Sequence, residues 1–229
     1  MESLQAHPAD VLEWLISQRR SVRGFLPDPV PREVLVRIFA AAQQSPSNCN
    51  IQPWAVHVLS GEATGRMRTA LVAAASGGGP LTPDYPLTDS FPGEYRQRQV
   101  AAAMALFATT GVKRGDVAAR ERSRLRNFAF FDAPHAAFIL MPDWASHREA
   151  LDCGIYLQTL MLQLTAHGLA SCAQGALGHY ADVVRQTLGA GDDMRVIVGL
   201  SFGYEDADHP ANATVTTRAA LAEAATFHD

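Results

Sequence analysis

The segment Pro46-Ser47-Asn48-Cys49-Asn50-Ile51-Gln52-Pro53-Trp54 decides how this chain is read. Small polar side chains crowd between two prolines that stiffen the backbone, and an indole closes the run. A rigid loop of this kind can read the edge of a heterocycle with few fixed contacts. It can equally be an ordinary helix-to-strand turn, and its spacing does not separate the two. Its flanks are clearer. Pro31 suits the first turn of a helix, and Val34, Leu35, Ile38, Phe39 and Ala42 recur at helical spacing up to the loop. Trp54 to Leu59 alternates and is β-prone, which predicts a strand.

Towards the N-terminus, Ala9 to Gln18 has helical periodicity, with Asp10 as the expected cap and Val11, Leu12, Leu15 and Ile16 on one side. This helix runs into Arg19-Arg20-Ser21-Val22-Arg23. Arginine's planar fork matches phosphate oxygens, yet basic residues also favour helix C-termini through the dipole. The cluster alone supports both readings.

Towards the C-terminus, Glu62 to Ala75 reads as a helix. Ser76 to Pro92 holds Gly77-Gly78-Gly79-Pro80, Pro83, Pro86 and Pro92. Prolines rather than a helix follow the glycines, so a mobile surface loop is expected, not a phosphate cradle. Glu94 to Phe107 and Asp116 to Asn127 read as helices, Ala133 to Met141 as a strand. His147 to His167 is apolar nearly all round, which predicts a long buried central helix ended by Gly168. Leu169 to Ala173 and Met194 to Phe202 read as strands, with a helix over Tyr180 to Leu188 between them. No repeat or linker divides the chain, so one α+β domain over residues 1–229 is expected, with a tail from 204 to 229.

The composition, 48% apolar and 18% charged, is enough for a sizeable core. A net charge of −4 argues against nucleic acid as a partner. Cys49, Cys153 and Cys172 are odd in number and far apart, which fits neither a disulfide framework nor a zinc site, and suggests a reducing, cytoplasmic setting. The first fifteen residues contain Glu2, Asp10 and Glu13 and lack an apolar run of signal-peptide length. No stretch of membrane-spanning length is free of charge, so neither leader nor membrane contact is expected. The eight histidines show no metal-ligand spacing.

Gly199-Leu200-Ser201-Phe202-Gly203 matches the nucleophile-elbow pattern, which needs a strand, a tight turn and then a helix. The strand is expected, but Tyr204 to Pro210 reads as loop, so a hydrolase is not.

Together these residues resemble the FMN-dependent nitroreductase family. Three blocks carry the resemblance: Arg19 to Arg23, Pro46 to Trp54, and Gly168-Leu169-Ala170-Ser171-Cys172-Ala173-Gln174-Gly175, with Arg218 near the C-terminus. The second is similar to the family's Pro-Ser-x-x-Asn-x-Gln-Pro-Trp and is the most specific. The resemblance implies a central mixed, mainly antiparallel β-sheet flanked by helices, in an intertwined homodimer with FMN sites at the interface. It implies that Arg19, Arg20, Ser21 and Arg23 hold the phosphate, ribityl chain and pyrimidine side, that Arg218 closes on the phosphate, and that Pro46, Ser47, Asn48 and Asn50 come from the other subunit. The backbone around Ala173, Gln174 and Gly175 would lie beside flavin N5, with residues 76–127 as a variable roof. No side chain is implied as catalytic, since the cofactor carries the chemistry.

The implied reaction is ping-pong: NADH or NADPH reduces the flavin, and a nitroaromatic or quinone-like acceptor takes the two electrons. Ene reduction, reductive dehalogenation or flavin binding without turnover remain open alternatives. One departure stands out: Gln174 occupies a position where many members carry Glu.

Overall fold

The computed structural model describes residues 7–228; Met1 to Ala6, Glu2 among them, and Asp229 lie outside it. In chain order the elements are α1 (Pro8–Gln18), α2 (Arg32–Ala42), β1 (Ala55–Ser60), α3 (Glu62–Ser76), α4 (Gly93–Thr110), α5 (Val117–Phe128), β2 (His135–Pro142), α6 (His147–Ala166), β3 (Ala170–Gln174), α7 (Ala181–Leu188) and β4 (Met194–Gly203). A short helical turn, Leu221–Ala224, follows in the tail.

The four strands form one sheet in the order β1-β2-β4-β3, each pair antiparallel. Parallel pairing is confined to isolated bridges, Ser21 with Ser171 and Thr82 with Tyr180. Alternation on β2 explains the layers. Ala136, Phe138 and Leu140 pack with Met67, Leu71, Phe128 and Val184 of α3, α5 and α7. Ala137, Ile139 and Met141 pack with Leu35, Ile38, Tyr156 and Leu160 of α2 and α6. A strand covered on both faces has no room for a polar side, hence its unbroken apolar run.

Several expectations need adjustment. The cap of α1 is His7, whose side chain accepts from the Ala9 N–H, because Asp10 already lies inside the helix. Pro31, expected in the first turn of α2, stands just before it as the N-cap. Helix α6 is buried along one face only, through Asp152, Cys153, Tyr156, Leu160 and Leu164, while Leu151 on the other side is 66% exposed. The 76–92 loop is pinned at its centre. Thr82 donates its backbone N–H to the His179 carbonyl at 2.8 Å. The Asp84 carboxylate pairs with Arg185 and accepts the Val196 N–H at 2.7 Å.

That ion pair is largely shielded, with side chains 8% and 18% exposed, so removing one partner strands the other's charge. Asp84→Ala is expected to cost about 2–4 kcal/mol, lowering Tm by roughly 5–12 °C. An unchanged Tm would show that the loop does not depend on this anchor.

His135 is 2% exposed at the start of β2. Its Nε2 accepts the Val30 N–H at 2.8 Å, Nδ1 lies 2.7 Å from Ser60 Oγ, and the ring stacks on Phe202 at 5.3 Å. Acceptance at Nε2 requires the neutral ring. Burial pushes its pKa down, partly opposed by a bond to the Leu59 backbone. The unfolded chain therefore takes up the proton first, near pH 6.5, and stability falls as pH drops through that value. The denaturant midpoint should be lower at about pH 5 than at about pH 7.5, with a smaller difference in His135→Gln. An equal difference in the variant would contradict this role.

Candidate functional site

The site begins with one backbone pairing. Ser21 bridges Ser171 in parallel, and the Val22 N–H donates to the Ser171 carbonyl at 3.1 Å. This lays the arginine block along β3, so the first and third sequence blocks come together.

The arginines then divide. Arg20 pairs with Glu205 and donates to the Asn212 carbonyl at 2.7 Å, so its guanidinium is committed to the 205–212 segment and does not join the free set expected for it. Arg23 Nη1 reaches only the Ser21 carbonyl at 3.3 Å. Among the described residues neither Arg19 nor Arg23 has a carboxylate partner. Burial pushes the Cys172 thiol pKa up, and the charges of Arg23 and Arg19 pull against it, so both cations lie within electrostatic reach of β3.

Two residues that carry no sequence signal hold this block. Asn212 accepts the Arg23 N–H at 2.7 Å and donates to the Gly24 and Asp206 carbonyls at 2.8 Å each. Gly24 lies so close to His209 that a Cβ there would stand 2.2 Å from Cγ of the ring. Arg126 braces the same corner, donating to the Arg23 carbonyl at 3.0 Å and lying 2.7 Å from His209 Nε2. Burial, and secondarily the Arg126 charge, keep the His209 pKa below its usual value. Arg23, Arg126, Asn127 and Phe131 border a small cavity of about 60 Å³.

The Pro46–Trp54 loop is built separately. Its 3-10 turn, Asn48–Asn50, places Cys49, Asn50 and Gln52 at left-handed φ of 48°, 57° and 47°. Each such residue costs on the order of 1 kcal/mol. Local bonds offset the cost. The Gln52 N–H donates to Ser47 Oγ at 2.9 Å, Gln43 Nε2 to Gln52 Oε1 at 3.1 Å, and Trp54 Nε1 to Gln43 Oε1 at 3.0 Å. Buried Asp152 on α6 accepts the Asn48 N–H at 3.1 Å, and Trp54 lies 5.0 Å from the Tyr156 ring. Pro46, Asn48 and Asn50 remain exposed and Ser47 half-buried. Among the described residues, none of the loop's hydrogen bonds reaches the arginine block or Gln174 and Gly175.

At the end of β3, Ala173 is half-buried, Gln174 buried and Gly175 exposed. No atom lies within 4 Å of where a Cβ on Gly175 would stand, so this edge faces open space. Gln174 accepts from Ser201 and donates to Asn127. Ser201 is fully buried inside β4, which continues straight through Gly203. A Cβ on Gly199 would stand 2.4 Å from Leu177, and one on Gly203 2.8 Å from Pro134. Close packing explains these glycines, and β4 makes no strand–turn–helix elbow at Ser201. Arg218 bonds locally, to Thr216 and Thr217, and borders a groove of about 550 Å³ against α4. The described residues hold no His, Cys, Asp or Glu group suited to a metal, and none of their helices is long and apolar enough to cross a membrane.

Comparison with known proteins agrees with this architecture. The family model described as the Nitroreductase family matches residues 16–204. Nitroreductase NfnB of Mycolicibacterium smegmatis is 40% identical over 220 residues, covering 96% of this chain and 93% of the relative. A 4-nitrobenzoate reductase of Pseudomonas putida is 33% identical over 208 residues, covering 91% and 89%. The crystal structure of the FMN-dependent nitroreductase NfnB from Mycobacterium smegmatis in complex with NADPH superposes with a TM-score of 0.93 at 40% identity, covering 97% of this chain and all of that one. An arginine block paired to β3, an antiparallel sheet between helices and a match along almost the whole chain lead to one assignment: the chain belongs to the nitroreductase family.

Proposed function

We propose that this chain is an FMN-dependent NAD(P)H oxidoreductase that reduces nitroaromatic or quinone-like acceptors. The observation that carries the reading is the pair Arg19 and Arg23, which flank the Ser21–Ser171 bridge to β3 and, among the described residues, have no carboxylate partner. A phosphate monoester carries about two negative charges near neutral pH, which two free guanidiniums offset. The open space at Gly175 leaves room for a flat ring at the same edge. The Mycobacterium relative is described as FMN-dependent and as bound to NADPH, and the Pseudomonas relative as a 4-nitrobenzoate reductase.

When bound, FMN supplies the two-electron transfer from NADH or NADPH to the acceptor. The chain's residues bind and orient. Arg19, Ser21 and Arg23 take the phosphate, ribityl and pyrimidine side, and Arg218 closes on the phosphate from the tail. Arg20 acts indirectly, by fastening the 205–212 segment to the block. Ala173, Gln174 and Gly175 present backbone to the N5 edge, and residues 76–127 roof the pocket.

Pro46, Ser47, Asn48 and Asn50 serve the site of a second subunit. Two features support a homodimer: among described residues, α1 and α4 bury no side chain, and Val11, Leu12, Trp14 and Ile16 of α1 stand exposed. The chain acts as one domain, and its three free thiols suit the cytoplasm.

Purified protein should be yellow, with visible flavin bands that bleach anaerobically on adding NADH or NADPH and return with a nitrobenzoate. Colourless protein that gains neither colour nor activity from added FMN would overturn the proposal. Charged hydrogen bonds contribute about 1.5–3 kcal/mol each, so Arg19→Ala with Arg23→Ala should weaken FMN binding on the order of 100-fold or more. Equilibrium titration of the apoprotein checks this, and unchanged affinity would remove both arginines from the site.

A further inference from the structure

Behind the end of β3, four residues form one directed chain of hydrogen bonds. Ser201 Oγ donates to Gln174 Oε1. Gln174 Nε2 donates to the Asn127 carbonyl at 2.9 Å and lies 3.4 Å from Asn127 Oδ1. Asn127 Nδ2 donates to the Arg124 carbonyl at 3.1 Å. Backbone carbonyls can only accept, so they fix both amides. Flipping Gln174 would set its oxygen 2.9 Å from another oxygen. Gln174 is 4% exposed and Ser201 fully buried, so bulk water cannot relieve such a clash.

We propose that Ser201 and Asn127 are positioning residues that lock Gln174 as a neutral amide turned into the protein, leaving position 174 only its backbone to offer a flavin. The inference rests on the FMN reading above for its second half and on this chain's own bonds for its first. A carboxylate here would accept from Ser201 through one oxygen and point the other at the Asn127 carbonyl with no proton between them. Glutamic acid fits only when protonated, and burial without a matching donor favours that neutral form. The amide supplies the required N–H at every pH.

No nearby charge supplies an alternative partner among the bonds described. On α5, Arg124 pairs with Glu121 and Arg126 with Asp132 and His209. His179, beyond β3, packs on Phe128, and β4 flanks Ser201 with Leu200 and Phe202. Arg19 and Arg23 act electrostatically on Cys172, and among the described residues neither hydrogen-bonds Gln174. Because Asn127 lies in the last turn of α5, the lock also ties the roof helices to the flavin edge.

The test is Gln174→Glu. A buried acid with a raised pKa loses stability as pH rises above its unfolded value of about 4.3. Flavin-free Gln174→Glu should melt close to wild type at about pH 5 and roughly 5–10 °C below it at about pH 8. A gap of equal size at both pH values, or a variant more stable than wild type at the higher pH, would overturn the lock. Ser201→Ala should lower the midpoint at both pH values and Ser201→Thr restore it. Restoration failing with Ser201→Thr well folded would remove Ser201 from the proposal. In FMN-loaded Gln174→Glu at about pH 5 the visible bands should superimpose on wild type. Bands already shifted there would reveal a direct bond from the side chain to the flavin and overturn the second half. Protein that shows the stability gap but takes up no FMN keeps the lock and refutes the FMN reading instead.

Discussion

The pairing of Ser21 with Ser171 is the contact on which the site depends. In the order β1-β2-β4-β3, β3 is an edge strand with unpaired backbone groups on its outer side. The segment leaving α1 uses that edge at Ser171, and Arg19 and Arg23 come within electrostatic reach of Cys172 as a consequence. Once the register is set, Asn212 and Gly24 hold it: Asn212 ties the block from both backbone and side chain, and Gly24 lets the 205–212 segment close over it. Arg20 joins this bracing through Glu205, and within the block Arg19 and Arg23 are left without a carboxylate among the described residues.

A second constraint is geometric. The Pro46–Trp54 loop is rigid, strained and exposed, yet its bonds lead to α2 and to Asp152 of α6, away from the arginine block. A loop that holds three left-handed non-glycine residues in place is over-determined by its surroundings, which is how functional loops keep strain. Val11, Leu12, Trp14 and Ile16 of α1 and Leu151 of α6 also stand exposed.

The sequence made the elements legible where their causes are local. Period-two alternation marks β1, a short apolar run marks β2, and helical spacing places α1 to α7 to within a few residues. It misjudged contacts made across the chain. The nearly all-round apolar pattern of α6 predicts burial on most sides, but one face is buried and Leu151 points outward, because apolar periodicity alone does not say which face meets the core. The glycines and prolines of 76–92 predicted mobility and could not reveal that Asp84 would meet Arg185 and Val196. Arg20 sits in the same motif as Arg19 and Arg23, and only its encounter with Glu205 separates it from them. Ser201 stands in a Gly-x-Ser-x-Gly pattern, yet its hydroxyl meets Gln174 because β4 runs straight past β3. Asn212 and Asp152 had no local pattern to announce them.

The central claim is that each flavin site joins the arginine block of one protomer to the Pro46–Trp54 loop of its partner. Co-expressing an Arg19→Ala, Arg23→Ala chain with an Asn48→Glu chain, each carrying a different tag, and measuring FMN in the purified mixed dimer tests it most directly. Each homodimer should be depleted of FMN. The mixed dimer, which pairs one intact block with one intact loop, should regain a single FMN per dimer. A mixed dimer as depleted as its parents, or an Asn48→Glu homodimer that retains FMN fully, would contradict the shared site.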